Sequence, residues 1–194
     1  MDFKGNRKGE VAARAHEAAA RVAALADALT GYKHELMAEL VMRGSGHGAF
    51  KDSPCGSIPV EWEAAALEEL LVHGRGLAEG SPQGALCTDE PEGVLLVTPA
   101  SVETLRFRPE RCLRIPHGFG GECDAAAFDI VMVRRGQGCG ACAIMPMSFA
   151  GGVLAPECVR LTPDIRRVDP FYLNNVLHHF YYTCLLYTSD AADE

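Results

Sequence analysis

Apolar residues Val11, Ala15, Ala18, Val22, Leu25, Leu29, Tyr32 and Leu36 recur alternately four and three positions apart. That is the a/d seam of a heptad helix, sustained for nearly four heptads. A helix over 11–43 would be about 50 Å long at 1.5 Å per residue, more than a domain of this size can cover. The seam therefore predicts a second helix, packed against Val22, Leu25, Leu29, Tyr32 and Leu36. Gly31 inside it costs about 1 kcal/mol relative to alanine, and the small Ala15 and Ala18 thin its N-terminal part. An amphipathic helix lying on its own domain is the open alternative. Gly44, Gly46 and Gly48 supply the permissive backbone that ends it.

Beyond the glycines the pattern changes to short apolar runs between turns. GVLLVT (93–98), DIVMVRR (129–135), ACAIMP (141–146) and GVLAPECVRL (152–161) predict strands. GQGCG (136–140) between the second and third predicts a hairpin tip. WEAAALEELL (62–71) and DPFYLNNVLHHF (169–180) predict short helices, the second with Asp169 as N-cap and Pro170 at its first position. The fold class is thus a mixed α/β (α+β) domain over 57–183, preceded by a heptad-patterned coiled-coil helix over 11–44 and a glycine-rich junction over 45–56. Residues 1–10 are left as a disordered or truncated start. CLLYTSDAADE (184–194) continues no earlier pattern and resembles the translated read-through of a sequencing adapter, as in a metagenomic fragment. It is expected to be a non-native tail, with the natural chain continuing past about Tyr182.

The 194 residues suit one domain with a core plus an appendage. No apolar run nears the roughly 18 residues of a membrane span, and MDFKGNRKGE is not a secretory leader, so a cytoplasmic location is expected. Eight scattered cysteines fit reduced thiols rather than a disulfide scaffold. A net charge of −8 argues against a phosphate-binding partner taken alone. All ten cations between 57 and 183 are arginine, however. Codon bias explains that, and so does the suitability of a planar guanidinium for reading bases and phosphates.

DPFY (169–172) approaches the (D/N)-P-P-(Y/F) motif of amino-methyltransferases but lacks the second proline, and no glycine-rich S-adenosylmethionine turn lies upstream. A helix cap is the better reading. GQGCG lacks a Walker lysine and a following long helix. A hairpin tip bearing Arg134, Arg135 and Gln137 can nevertheless enter a DNA groove, where arginine pairs with guanine and glutamine with adenine. Cys139 and Cys142 form a C-x-x-C, but Cys112 and Cys123 are too far apart for the second tight pair of a zinc ribbon, so buried strand thiols are expected instead. His178 and His179 are adjacent, point about 100° apart on a helix, and are expected on its surface. No nucleophile–base set has local support.

YKHELMAELVMRGSGHGAFKDSPCGSIPVEWE (32–63) closely resembles the passage from spacer helix into target recognition domain in specificity subunits of type I restriction-modification systems. That family's wording is a lysine-rich helix ending "LM-x-x-L", then "RG-x-GH-x-x-FKDS-x-x-G-x-IP-x-x-WE". FDIVMVRRGQGCG (128–140) is similar to its "GDIL" strand and glycine hairpin, and VRLTPDIRRVDPFYL (159–173) to its "R-L-x-P … D-P-x-Y-L" ending. Phe128 stands where the family has glycine, and Pro156-Glu157-Cys158 where it often has asparagine. Trp62 is expected to anchor the new core.

The resemblance implies a non-catalytic reader of double-stranded DNA, one recognition domain and one spacer helix of a subunit that normally has two of each. Methyltransferase subunits would dock on it and bind S-adenosylmethionine, and a restriction subunit would supply ATP- and Mg2+-dependent translocation and cleavage. A second spacer helix or a homodimer partner would cover the seam. Arg75, Ser81 and Gln83, with Arg134, Arg135 and Gln137, are the candidate DNA contacts. Arg106, Arg108 and Arg111 fit solvated charge equally well. Two alternatives stay open: a coiled-coil protein-interaction module without DNA binding, and a cysteine-based metal or redox protein.

Overall fold

The computed structural model describes residues 3–80, 92–116 and 124–190, and the chain divides into two compact units, Met1–His47 and Gly48–Glu194. The first unit is built on helix α1 (Phe3–Arg43), about 60 Å long at 1.5 Å per residue. Its predicted seam is solvent-exposed: Val22 is 68% accessible, Leu25 61%, Leu29 58%, Tyr32 64% and Leu36 40%. The helix ends at Gly44, whose φ of 63° lets its amide reach back to the Leu40 carbonyl at 3.1 Å.

The second unit opens with an unexpected element. FKDSPCGSIP, expected as part of a linker, folds into a hairpin of β1 (Phe50–Ser53) and β2 (Gly56–Pro59), with Phe50 opposite Pro59 and Ser53 opposite Gly56. The Ser53 hydroxyl closes the turn onto the Gly56 carbonyl at 2.7 Å. Trp62 is half-buried and meets Tyr172 edge-on at 5.8 Å, at the periphery of the core rather than its centre. Over 62–71 the expected helix shrinks to one 3-10 turn, Leu67–Leu70. Ala64, Ala65 and Ala66 are exposed, so no buried face pays for ordering a longer helix.

Two four-stranded sheets follow. The first, in order β10–β9–β12–β3, joins β3 (Leu77–Glu79), β9 (Ile130–Val133), β10 (Cys142–Ile144) and β12 (Cys158–Leu161), all antiparallel. The second, in order β7–β4–β11–β8, joins β4 (Val94–Val97), β7 (Leu113–Ile115), β8 (Asp124–Ala125) and β11 (Gly152–Leu154), with β4 and β11 parallel. A small hairpin, β5 (Val102–Glu103) and β6 (Arg106–Phe107), completes the strands described. The run 152–161 was expected as one strand, but Ala155–Glu157 break it and its halves enter different sheets.

The uninterrupted IVMV of β9 follows from burial on both faces. Val131 and Val133 join a core with Val97, Phe107, Met145, Phe149, Leu154 and Cys158. Ile130 and Met132 face the other way, with Leu71, Cys142, Leu161 and Leu173. Leu173 belongs to helix α2 (Pro170–Asp190), which starts as expected: the Asp169 carboxylate accepts the Tyr172 amide at 2.9 Å. The helix runs past its expected end at 180. His178 is buried, not on the surface, because it shares the side of the helix that buries Asn174 at i, i+4. Among the described residues no helix is long and apolar enough to cross a membrane.

Asp129, 2% accessible, ties the sheet together. Its carboxylate accepts the Ala126 amide at 2.8 Å and the Thr162 hydroxyl at 2.7 Å, with the buried Arg160 guanidinium 4.0 Å away. The turn that aims it puts Phe128 at φ 68°, the left-handed region that glycine occupies freely, and Phe128 meets Phe171 edge-on at 6.5 Å. Phe128→Gly and Phe128→Ala both remove the ring, so their difference isolates the backbone. Urea unfolding should find the glycine variant more stable than the alanine variant by about 1 kcal/mol; equal midpoints would mean that the left-handed turn is not kept.

Candidate nucleic-acid interface

The tip between β9 and β10 is ordered by its own backbone. Gly136, Gly138 and Gly140 have φ of 85°, 78° and 85°, a series that side chains other than glycine rarely adopt. Those angles allow the Cys139 amide to reach the Gly136 carbonyl at 3.1 Å, Ala141 to reach Gly138 at 2.9 Å and Gly140 to reach Val133 at 2.6 Å. The Cys139 thiol adds a bond to the Arg134 carbonyl at 3.2 Å. The result is a rigid hairpin end.

The sequence candidates on this tip separate into two roles. Arg134 turns inward: its amide bonds the Glu157 carbonyl at 2.8 Å, its Nε the Pro156 carbonyl at 3.0 Å, and its Nη1 the Glu79 carboxylate at 2.6 Å. It fastens the tip to the neighbouring strands. Arg135 and Gln137 are exposed, and among the described residues Arg135 has no ion-pair partner. Both line a cleft of about 630 Å3, together with Gly136, Gly138 and Glu157.

The rest of the lining comes from Pro99, Ala100, Val102, Glu103 and Arg111. Ser101, fully buried, holds the turn there through its hydroxyl, which donates to the Thr98 carbonyl at 2.8 Å and accepts the Thr98 amide at 3.2 Å. Glu103 receives one arginine on each oxygen: Arg108 Nε on Oε2 at 2.8 Å and Arg111 Nη1 on Oε1 at 2.6 Å. The Arg108 hydrogen bond, followed by the charges of the surrounding arginines, keeps the Glu103 carboxyl below its usual range against the opposing effect of burial. With Arg111 and Arg135 set against Glu103 and Glu157, the cleft is balanced in charge and shows no basic excess.

Arg75 does not join this group. β3 runs antiparallel to β12 with Leu77 opposite Leu161, which puts Arg75 at the level of Pro163, whereas Arg134 bonds Glu157. The two levels are about 20 Å apart at the rise of a strand. The Arg75 side chain is exposed and its carbonyl accepts Arg160 Nη2 at 3.1 Å. Ser81 and Gln83 lie outside the described residues. Glu103, in the cleft lining, carries no signal in the sequence, and Arg111, weighed there as solvated charge alongside Arg106 and Arg108, lines the cleft as well.

The C-x-x-C pair splits between environments. Cys139 is exposed at the tip, while Cys142 is buried in β10, where it bonds the Asn174 carbonyl at 3.6 Å and burial pushes its thiol up to about 12. Such a thiol is a poor source of thiolate. Among the described residues no group of three or more His, Cys, Asp or Glu could hold a metal ion; Cys123 lies outside them.

With this geometry in view, solved structures give a fold. A crystal structure of the HsdS subunit from Thermoanaerobacter tengcongensis matches 89% of the chain at a TM-score of 0.57 and 18% identity. The chain has the fold of part of an HsdS subunit. A second match, from a structure concerned with complex assembly and conformational transition of the type I R-M system, covers 93% of the chain at a TM-score of 0.51 and 15% identity. The chain spans only 39% of the first HsdS structure and 42% of the second protein. No protein-family model matches the chain, and no curated protein matches its sequence.

The two roles of the neighbouring arginines separate in a stability measurement. Arg134→Ala, which removes the bonds to Pro156 and Glu79, should lower unfolding stability by about 1 kcal/mol. Arg135→Ala should stay within about 0.5 kcal/mol of the parent. Chemical denaturation of both variants checks this, and an equal loss in each would contradict the assignment.

Proposed function

We propose that the chain is part of a type I restriction-modification specificity subunit and reads one half of a split DNA target without catalysing a reaction itself. The observation that carries this is the HsdS fold together with the exposed Arg135 and Gln137 on a rigid tip beside a cleft. Arginine pairs bidentately with guanine and glutamine with adenine in the major groove, and a hairpin tip can reach base edges there. The cleft's charge balance suits specificity more than bulk affinity, which comes largely from phosphate contacts. Methyltransferase subunits would share those contacts.

On this proposal α1 is the measuring helix. Its exposed stripe is covered by a second spacer helix, from the other part of a whole subunit or from another copy of the chain. Methyltransferase subunits bring S-adenosylmethionine, and a restriction subunit brings ATP- and Mg2+-dependent cleavage. Arg134 is assigned first to holding the hairpin, because its Nε and Nη1 already serve Pro156 and Glu79, and it ranks behind Arg135 and Gln137 as a DNA contact. Arg75 is kept only as a contact of a different surface.

A coiled-coil interaction module without DNA binding is favoured by one observation, the exposed seam of α1, which the main proposal explains equally. Co-purification with a methyltransferase subunit separates the two. Within the assembled methyltransferase, Arg135→Ala and Gln137→Ala should each reduce discrimination between the preferred and altered half-sites by about 1 to 3 kcal/mol. Competition binding with duplexes differing at single base pairs measures this. Unchanged discrimination in both variants would remove the tip from base reading.

A further inference from the structure

We propose that Arg111 is a phosphate-contacting residue, held in place by Glu103, so that this part of the cleft grips the DNA backbone while the tip reads bases. This rests on the DNA-reading function proposed above and assigns another part of the same cleft. Any element that enters a groove has sugar-phosphate backbone on its flanks, so a cation lining the same cleft as the tip but outside the tip itself is placed to meet phosphates rather than base edges.

Arg111 is equipped for that contact. One Nη1 donor is bound to Glu103 Oε1 at 2.6 Å, the side chain is 53% accessible, and the residue lines the same cleft as Arg135 and Gln137. A guanidinium has five donors, which leaves a fork free for phosphate oxygens. Glu103 spans Arg108 and Arg111 with one oxygen each, and Arg108 is itself only 25% accessible. The carboxylate thus fixes a long side chain that would otherwise lose much rotamer freedom on binding. Glu110 lies nearest Arg108, 3.7 Å from Arg108 Nη1, and leaves Arg111 unclaimed by a second carboxylate among the described residues.

The test uses the methyltransferase complex containing the full chain, with a preferred duplex and a scrambled duplex titrated across a range of salt concentrations. Arg111→Ala should weaken both duplexes alike, by about tenfold, and reduce the slope of log affinity against log salt by about one. Arg111→Lys should keep the slope, because it keeps the charge. Wild-type urea midpoints for both variants would show that folding is intact. An unchanged slope in Arg111→Ala, or a slope lost in Arg111→Lys as well, would overturn the assignment and leave Arg111 as a partner of Glu103 only. A parent complex that prefers neither duplex yet shows the slope change would refute half-site reading while supporting the phosphate contact. A parent complex that binds neither duplex would overturn both.

Discussion

A buried carboxylate sets the geometry on which the candidate interface depends. Asp129 sits where a charge is costly unless every oxygen is satisfied, and it is satisfied by the turn before β9 and by the strand beside it. Thr162 is its cross-strand neighbour, since Ile130 pairs with Leu161 one step along. The bond therefore pins the register of β9 against β12, and a one-residue slip would turn the Val131–Val133 face away from its core. Arg160 extends the link to the Arg75 carbonyl at the edge of β3. Three of the sheet's four strands are thus locked at one end, which leaves the β9–β10 tip at the other.

That division explains how a domain with little basic charge can present a defined surface. The tip is stiffened by its own backbone bonds and by inward-turned Arg134, and the rest of the cleft lining by Ser101 and the Glu103 bridge. Contact residues on loops held by a rigid scaffold lose less entropy on binding than loosely tethered ones. Balanced charge within the cleft is compatible with selectivity, because base edges are read by donor and acceptor geometry rather than by net potential. Under the proposed function, affinity from phosphate neutralisation would come from other subunits and from the flanks.

Much of this was legible in sequence, for reasons that particular residues illustrate. The all-apolar IVMV and the capped start at Asp169 announced themselves because burial on both faces and an orphan amide leave strong local marks. The motif resemblance located Asp129 and the RLTP stretch separately, but only the fold brings Asp129 to Thr162. What failed was tertiary in origin. WEAAALEELL has helix-forming residues but buries mainly its end, at Leu70 and Leu71, and has no continuous helical face to bury. GVLAPECVRL is continuous in hydropathy but breaks at Pro156 to serve two sheets. Arg134 and Arg135 are identical in sequence terms, yet one turns inward to Glu79 and the other outward. The glycine expected before Asp129 is explained by the turn's positive φ, a backbone demand that Phe128 meets with strain.

Selection from a random-sequence DNA pool, using the methyltransferase complex assembled with this chain, tests the central claim most directly. Reading of one half-site should appear as enrichment of a short fixed sequence that changes when residues 57–183 are exchanged for another recognition domain while α1 is kept. A pool that stays unenriched, or a preferred sequence that does not follow residues 57–183, would contradict it.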